Sequence, residues 1–252
     1  MNHVYGDWET NFRQLPGYMR ALQNCRDGTA VQWKFKKEDE TVHSGRKIFR
    51  YQRMFTEHNN KNFTPYTDYC YSSSYVFWHF GATRTTFQHS HPVVTVDATH
   101  LRGSYKGKAI VAVVKTANDR VVPVAYAIID EESAHNWYWF LKYLKVYVLQ
   151  DTFTCIISDR NSGILSAIAK LDSKFPNWGV HRYCMEHIRA NLLSSVPKKK
   201  GLYALSWKIG TELDEAKYAQ AWAELTESSQ AAATYLQRIP LEKWTLILDG
   251  FH

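Results

Sequence analysis

The stretch PVVTVDATHL, residues 92–101, is a β-rich apolar run that a single carboxylate, Asp97, interrupts. Valine and threonine at this density predict a strand. Two further apolar runs follow at 109–114 and 121–129, and the connections between the three runs are short and rich in turn residues. The sequence therefore predicts an antiparallel meander of three strands. Pro123 has no amide hydrogen to donate, which predicts that the third strand lies at the edge of the sheet.

Helices and strands alternate after the meander. Apolar residues at three- and four-residue steps predict a helix over 134–149. A continuous apolar run predicts a fourth strand at 153–158, a helical pattern follows at 163–171, and a short fifth strand is expected at 178–183. The pattern is helical after Cys184. This order predicts an α/β fold whose mixed sheet has three antiparallel strands followed by parallel strands.

Three regions differ in character along the chain. Residues 1–91 are predicted to form a helical or irregular segment that precedes the core. The core is expected at 92–192, because the predicted strands lie there. Residues 193–252 are predicted to form a helical region at the C-terminal end.

Composition and net charge exclude several classes of protein. The 252 residues include 31 Lys and Arg against 24 Asp and Glu, a net charge of +7, with 45% hydrophobic and 22% charged residues. These values are typical of a globular protein and exclude disordered, collagen-like and coiled-coil chains. A basic, aromatic-rich chain suits nucleic-acid contact as well as core packing. Four scattered cysteines predict free thiols in a reducing compartment, and no stretch is long enough to predict a membrane partner.

Two carboxylates are the first candidates for chemistry. Asp97 lies in a strand that we expect to be buried, where an unpaired carboxylate is costly, although it could instead end the strand by capping a turn. Asp159 follows the fourth strand and could instead begin a helix. Pairing of the first and fourth strands would bring both residues to one edge of the sheet, where ligands bind in α/β folds. Oxygen ligands there fit Mg²⁺ or Mn²⁺.

Histidine, cysteine and lysine supply weaker candidates. His100 lies three residues after Asp97, and Cys184 with His187 forms a Cys-x-x-His pair within reach of His181. One such pair is only half a zinc site, so packing and hydrogen bonding under the active face are favoured over zinc binding. A run of three lysines could contact phosphate or simply be solvated. These lysines are Lys198, Lys199 and Lys200.

Several blocks together resemble a known family. They are PVVTVDATHL (92–101), GSYKG (103–107), PVAYAIID (123–130), WYWFL (137–141), ISDR (157–160) and HRYCMEHI (181–188). In this order they strongly resemble the Mutator-like (MULE) transposase domain, over roughly residues 76–245. The resemblance implies a ribonuclease-H-like fold with a metal-dependent site of the DDE type that cuts and rejoins DNA, using Mg²⁺ or Mn²⁺ rather than zinc.

The resemblance also assigns residues. Asp97 and Asp159 match the first two acids of the family, His100 matches a signature histidine, and Cys184 with His187 matches its Cys-x-x-His signature. Arg160 follows the second acid and is a possible DNA contact, as are the three lysines. Expected partners are transposon ends and target DNA in the nucleus, with a possible homo-oligomer.

Departures from the family pattern limit the expected activity. Ala98 replaces a glycine and Asn161 stands where a histidine is frequent. The third acid, a glutamate beyond a helical insertion, has no match, because the glutamates of the insertion lack its sequence context. Those glutamates are Glu212, Glu215, Glu224 and Glu227. The sequence therefore predicts a truncated, inactive member of the family. The alternative is a domesticated, transposase-derived protein that binds DNA or regulates transcription without catalysis.

Overall fold

The computed structural model describes residues 8–24, 28–35, 50–51, 72–102, 106–197 and 199–248. Lys198, one of the candidate DNA contacts, lies outside these residues. In the described part of the chain the strands are β1 (Ala30–Phe35), β2 (Arg50–Tyr51), β3 (Ser72–His79), β4 (Ser90–His100), β5 (Lys108–Thr116), β6 (Val121–Ile129), β7 (Thr154–Ser158) and β8 (Gly179–Tyr183).

Eight α-helices lie in the described part of the chain. They are α1 (Trp8–Asn24), α2 (Gly81–Gln88), α3 (Ala134–Leu144), α4 (Ser162–Lys174), α5 (Met185–Ser195), α6 (Leu202–Thr211), α7 (Glu215–Ser228) and α8 (Gln230–Gln237). A π-helical segment, Lys145–Leu149, continues α3. Short 3₁₀ turns at Leu241–Lys243 and Leu246–Leu248 follow α8. None of the described helices is long and apolar enough to cross a bilayer.

A mixed sheet organises the protein as an α/β fold. Its strand order is β1-β3-β6-β5-β4-β7-β8, with β2 beside β3. Strands β4, β5 and β6 form an antiparallel meander, whereas β7 and β8 run parallel to β4. Strands β1 and β3 come from the region at 1–91 and extend the sheet beyond β6. The prediction of a helical or irregular segment there did not include them.

Pro123 does not place its strand at the sheet edge, so that prediction is wrong. Strand β6 lies between β5 and β3. The proline is tolerated because β3 pairs with β6 only around Tyr126, Ala127 and Ile128, and because Pro123 faces Val113 at a register shift. An interior strand can hold a proline where a bulge or a missing neighbour leaves no ladder bond to lose.

The main core lies on one face of the sheet. Val94 and Val96 of β4 are buried and cluster with apolar residues of α3 and α4. Both helices begin at side-chain caps, since Ser133 accepts a hydrogen bond from the amide of Asn136 and Asn161 accepts one from the amide of Gly163. The caps therefore fix where the loops after β6 and β7 enter the two helices.

Helices α5 to α8 form a second, smaller core. Its buried residues are Ile188, Leu192, Leu202, Ile209, Ala221, Leu225, Ala232, Ala233, Leu236, Ile239 and Trp244. A cavity of about 490 Å³ lies between this helical unit and the other face of the sheet, with Val93, Cys155 and Ile157 in its lining. The helical unit therefore packs against the face of the sheet to which Val93, Cys155 and Ile157 belong.

Candidate active site at the carboxyl ends of three strands

Asp97 and Asp159 follow the paired segments of two neighbouring strands. Strand β4 pairs with β7 in parallel, with Val93 opposite Cys155 and Thr95 opposite Ile157. Asp97 lies two residues beyond Thr95 in β4, and Asp159 lies two residues beyond Ile157, directly after the end of β7. Because side chains alternate along strands, continuing this register directs both residues to one face, on strands spaced about 4.8 Å apart. We call these two residues the acid pair.

Asp97 is exposed, which corrects the expectation that its carboxylate is buried. It lies near the strand's end and on the face opposite the core formed with α3 and α4. Its Oδ1 atom accepts a hydrogen bond of 2.9 Å from the amide of Ala98. Water therefore solvates this carboxylate in the absence of a bound cation, and no buried counter-charge is required.

Asp159 is half-buried and does not begin the helix that follows it. Its Oδ1 atom accepts a hydrogen bond of 3.1 Å from the amide of Asn161, while the N-cap of α4 is Asn161 itself. The helix-start interpretation of Asp159 is therefore wrong. Since the helix uses another residue as its cap, the carboxylate of Asp159 remains available to a ligand.

Cys184 extends the row formed by the acid pair. Ser158 pairs with Tyr183 across β7 and β8, so the next residues along are Asp159 and Cys184. The amide of Cys184 donates a 2.6 Å hydrogen bond to the carbonyl of Ser158. Its thiol is free and half-buried at the start of α5.

His187 lies in the first turn of α5. Its Nδ1 atom is buried and has no hydrogen-bond partner among the described residues. Over the same residues, no group of three or more His, Cys, Asp or Glu side chains is close enough to hold a metal ion. The acid pair is therefore a two-carboxylate site in the described structure, and no third carboxylate joins it there.

The structure separates His100 from the acid pair. Three residues along a strand reverse the direction of a side chain, so His100 lies on the face opposite Asp97. Its Nε2 atom is 3.0 Å from Nζ of Lys108, which also forms a 2.6 Å ion pair with Glu132. Lys108 and Glu132 were missed at the sequence level, because nothing in their spacing links the start of one strand to the loop after the next.

Arg160 connects the acid pair to the helical unit. Its Nη2 atom donates a 2.9 Å hydrogen bond to the hydroxyl of Tyr235 in α8, and its guanidinium lies 6.0 Å from the centre of that ring. The side chain is thus engaged within the protein. Of the candidate lysines, Lys199 and Lys200 are exposed, and the Lys199 ammonium donates to the carbonyl of Ser228 at the end of α7.

A buried hydrogen-bond chain supports Asp159. His181 Nε2 lies 2.8 Å from the hydroxyl of Ser158, and that hydroxyl donates to the carbonyl of Asp159 at 2.8 Å. The imidazole must therefore donate to the hydroxyl, so Nε2 carries a hydrogen and the neutral ring is the Nε2–H tautomer. Burial, together with the ammonium of Lys243, lowers the pKa of His181 to about 4.

This pKa predicts a pH-dependent stability. Between pH 6.5 and 4 the histidine is neutral when folded and protonated when unfolded, so the unfolded chain binds more protons and stability falls as the pH falls. The loss is about 3 kcal/mol at most. Urea unfolding across this range should show a steeper loss for the wild type than for His181→Asn, which keeps a donor for Ser158. Parallel curves would contradict the assignment.

The fold and the site define an α/β protein with a solvent-accessible acid pair at the carboxyl edge of a mixed sheet. Residues 93–191 match the sequence model of the MULE transposase domain, and this part of the chain belongs to that family. The resemblance found in the sequence blocks is thereby confirmed. The matched residues include both members of the acid pair, Cys184 and His187.

Comparison with solved structures gives a distant similarity. No curated protein matches the chain. A solved structure of the simian T-cell lymphotropic virus intasome in complex with PP2A regulatory subunit B56 gamma is similar at 11% identity with a TM-score of 0.26. The similarity covers 62% of this chain and 48% of the other, so the chain spans about half the length of that neighbour.

Proposed function

We propose that the protein is the ribonuclease-H-like core of a MULE transposase and acts on DNA through a divalent cation at the acid pair. The observation that supports this proposal is the parallel register of β4 and β7, beyond which Asp97 and Asp159 each follow a paired residue by two positions. The family match over 93–191 supports a transposase-related role. The substrate class that follows is a DNA phosphodiester, at transposon ends and in target DNA.

The residues of the acid pair suit Mg²⁺ or Mn²⁺. Both ligands are carboxylates, which hard cations prefer, and each has only one oxygen in a hydrogen bond among the described residues. Two negative charges on adjacent strands repel each other, so a cation between them is favoured. Bound there, such an ion would supply Lewis-acid activation of a water or 3′ hydroxyl and stabilise the leaving oxygen.

The protein's own residues position this site. The chain from His181 through Ser158 holds the turn that carries Asp159, and Arg160 anchors the same turn to Tyr235. Strand order β6-β5-β4-β7-β8, with three antiparallel and two parallel strands, supports the ribonuclease-H-like assignment. These contacts keep the carboxylates on a rigid edge, which metal-dependent catalysis requires.

The described residues provide no third carboxylate for catalysis at the acid pair. With only two carboxylates, a two-ion site would retain several water ligands and an excess of positive charge. We therefore expect purified protein to give no nicking of supercoiled plasmid in Mg²⁺ or Mn²⁺, measured by gel electrophoresis. Asp97→Ala serves as the control for contaminating nuclease. Nicking by the wild type that Asp97→Ala abolishes would contradict this expectation.

A second function, DNA binding without cleavage, is favoured by the lack of a third carboxylate at the acid pair among the described residues. The described residues bring no third ligand to the acid pair. A domesticated protein of this kind would bind DNA, or regulate transcription, in the nucleus, with a second copy as a possible partner. Plasmid that is retarded but not nicked in the experiment above supports this function over strand transfer.

A further inference from the structure

Two large aromatic side chains stand exposed on one side of α6. Tyr203 and Trp207 are 46% and 44% exposed and lie four residues, about one helical turn, apart. We call them the aromatic pair. The apolar residues Leu202 and Ile209 of the same helix are fully buried in the second core. The aromatic pair is therefore additional to the face that holds α6 in the fold.

A buried arginine lies against the aromatic pair. Arg189 of α5 is 5% exposed, and its guanidinium lies 3.1 Å from the ring centre of Tyr203 and 4.7 Å from that of Trp207. Glu186 binds this arginine at 2.8 Å and accepts a 2.9 Å hydrogen bond from the Tyr203 hydroxyl. Both rings are thus held in place before any ligand arrives, which lowers the entropic cost of binding.

Lysines lie on both sides of the aromatic pair along the sequence. Glu186 is paired with Arg189, whereas Lys200 and Lys208 form no ion pair among the described residues. Lys200 precedes α6 by two residues, and Lys208 follows Trp207 directly. Flat rings flanked by cations are complementary to a ligand that combines planar faces with negative charge. Nucleotides have both properties.

A short series of neighbouring residues links the aromatic pair to the acid pair. Glu186 follows Cys184 by two residues, and Cys184 stands next to Asp159 in the row of strand ends. The hydroxyl of Tyr203 reaches Glu186 directly. A strand of DNA bound at the acid pair therefore needs only a short path to reach the aromatic pair.

We propose that the aromatic pair stacks unpaired bases of single-stranded DNA beside the acid pair. This inference rests on the proposed function, because it takes DNA as the ligand of the neighbouring site. Bases in a duplex hide their faces from a protein, whereas unpaired bases offer them, and stacking on aromatic side chains tolerates any sequence. The ligand class is thus a single-stranded segment next to the phosphodiester that the acid pair would hold.

Fluorescence anisotropy with labelled oligothymidine tests this inference. Trp207→Leu and Tyr203→Leu should each weaken binding about tenfold. The slope of affinity against salt should not change, because no phosphate contact is removed. An abasic strand of the same length should bind both variants as it binds the wild type. Tyr18→Leu, which removes a 58% exposed ring from α1, is the matched control and should have no effect.

Two further measurements show whether a leucine variant loses binding because it lacks the aromatic ring or because it is not folded. Tyr203→Phe removes the bond to Glu186 but keeps the ring, so it should bind oligothymidine more tightly than Tyr203→Leu does. Circular dichroism shows whether each leucine variant is folded. Trp207 makes no hydrogen bond among the described residues apart from helix bonds and its carbonyl's bond to Thr211, so Trp207→Leu is the decisive variant.

Distinct outcomes overturn the two proposals. If folded Trp207→Leu binds oligothymidine as the wild type does, or loses the abasic strand equally, the stacking site is wrong. The same holds if Trp207→Leu abolishes self-association instead, since the surface then contacts a second copy. Wild type that binds duplex DNA but not oligothymidine overturns stacking alone. Wild type that binds neither form of DNA overturns the proposed function as well.

Discussion

Replacing Gly179 with alanine is expected to destabilise the protein by about 3 kcal/mol or more. Gly179 opens β8 with φ 151°, and a Cβ atom there would lie 1.8 Å from the carbonyl oxygen of Thr154. That oxygen belongs to the backbone of β7, so the side chain cannot be accommodated by a rotamer change. The two strands would have to separate at the point where their pairing begins.

Gly201→Ala is the matched control for this substitution. Gly201 also has positive φ, 91°, but nothing lies within 4 Å of the position that its Cβ would take. Only the backbone strain of about 1 kcal/mol is therefore expected. Urea unfolding followed by tryptophan fluorescence gives both free energies of unfolding. Equal losses for the two variants would contradict the close approach of β7 and β8.

Asp97→Ala is expected to abolish divalent-metal binding. Loss of the groups that merely orient a metal ligand already weakens affinity by about 10- to 100-fold. Removal of one of two carboxylate ligands should therefore cost more, and Asp159→Ala should have the same effect. Because Asp97 is exposed, the substitution leaves the core intact, so the melting temperature should change little.

His100→Ala is the control for Asp97→Ala. It tests whether metal affinity depends on the face of the sheet on which a residue lies or only on its closeness to Asp97 in the sequence. His100 is only three residues from Asp97, yet it lies on the other face of the sheet beside Lys108. We expect its removal to leave metal affinity unchanged. A loss as large as that of Asp97→Ala would mean that the acid pair is assembled differently from the register described here.

Strand and helix order in the second half of the chain was predictable because apolar patterning dominates there. The run at 92–101 is dense in valine, and the helix expected at 134–149 covers α3 together with its π-helical extension. The position of Pro123 was not predictable. A bulge and a short neighbouring strand depend on tertiary pairing, which local propensity does not contain.

The acid pair could be anticipated from sequence, whereas its surroundings could not. Two carboxylates at the ends of two strands are a local signal. The hydrogen bond from Arg160 to Tyr235 depends on where α8 lies, and those two residues are 75 positions apart. The stacking of Arg189 against Tyr203 likewise requires the crossing of α5 and α6, which no spacing in the sequence specifies.

Calorimetric titration with Mn²⁺ tests the central claim most directly. Wild type, Asp97→Ala and His100→Ala would be titrated under identical conditions, with Zn²⁺ as a second titrant. We expect the wild type and His100→Ala to bind Mn²⁺ with similar affinity and Asp97→Ala to show no measurable binding. Absence of Mn²⁺ binding by the wild type, or binding that survives in Asp97→Ala, would contradict a metal site at the acid pair.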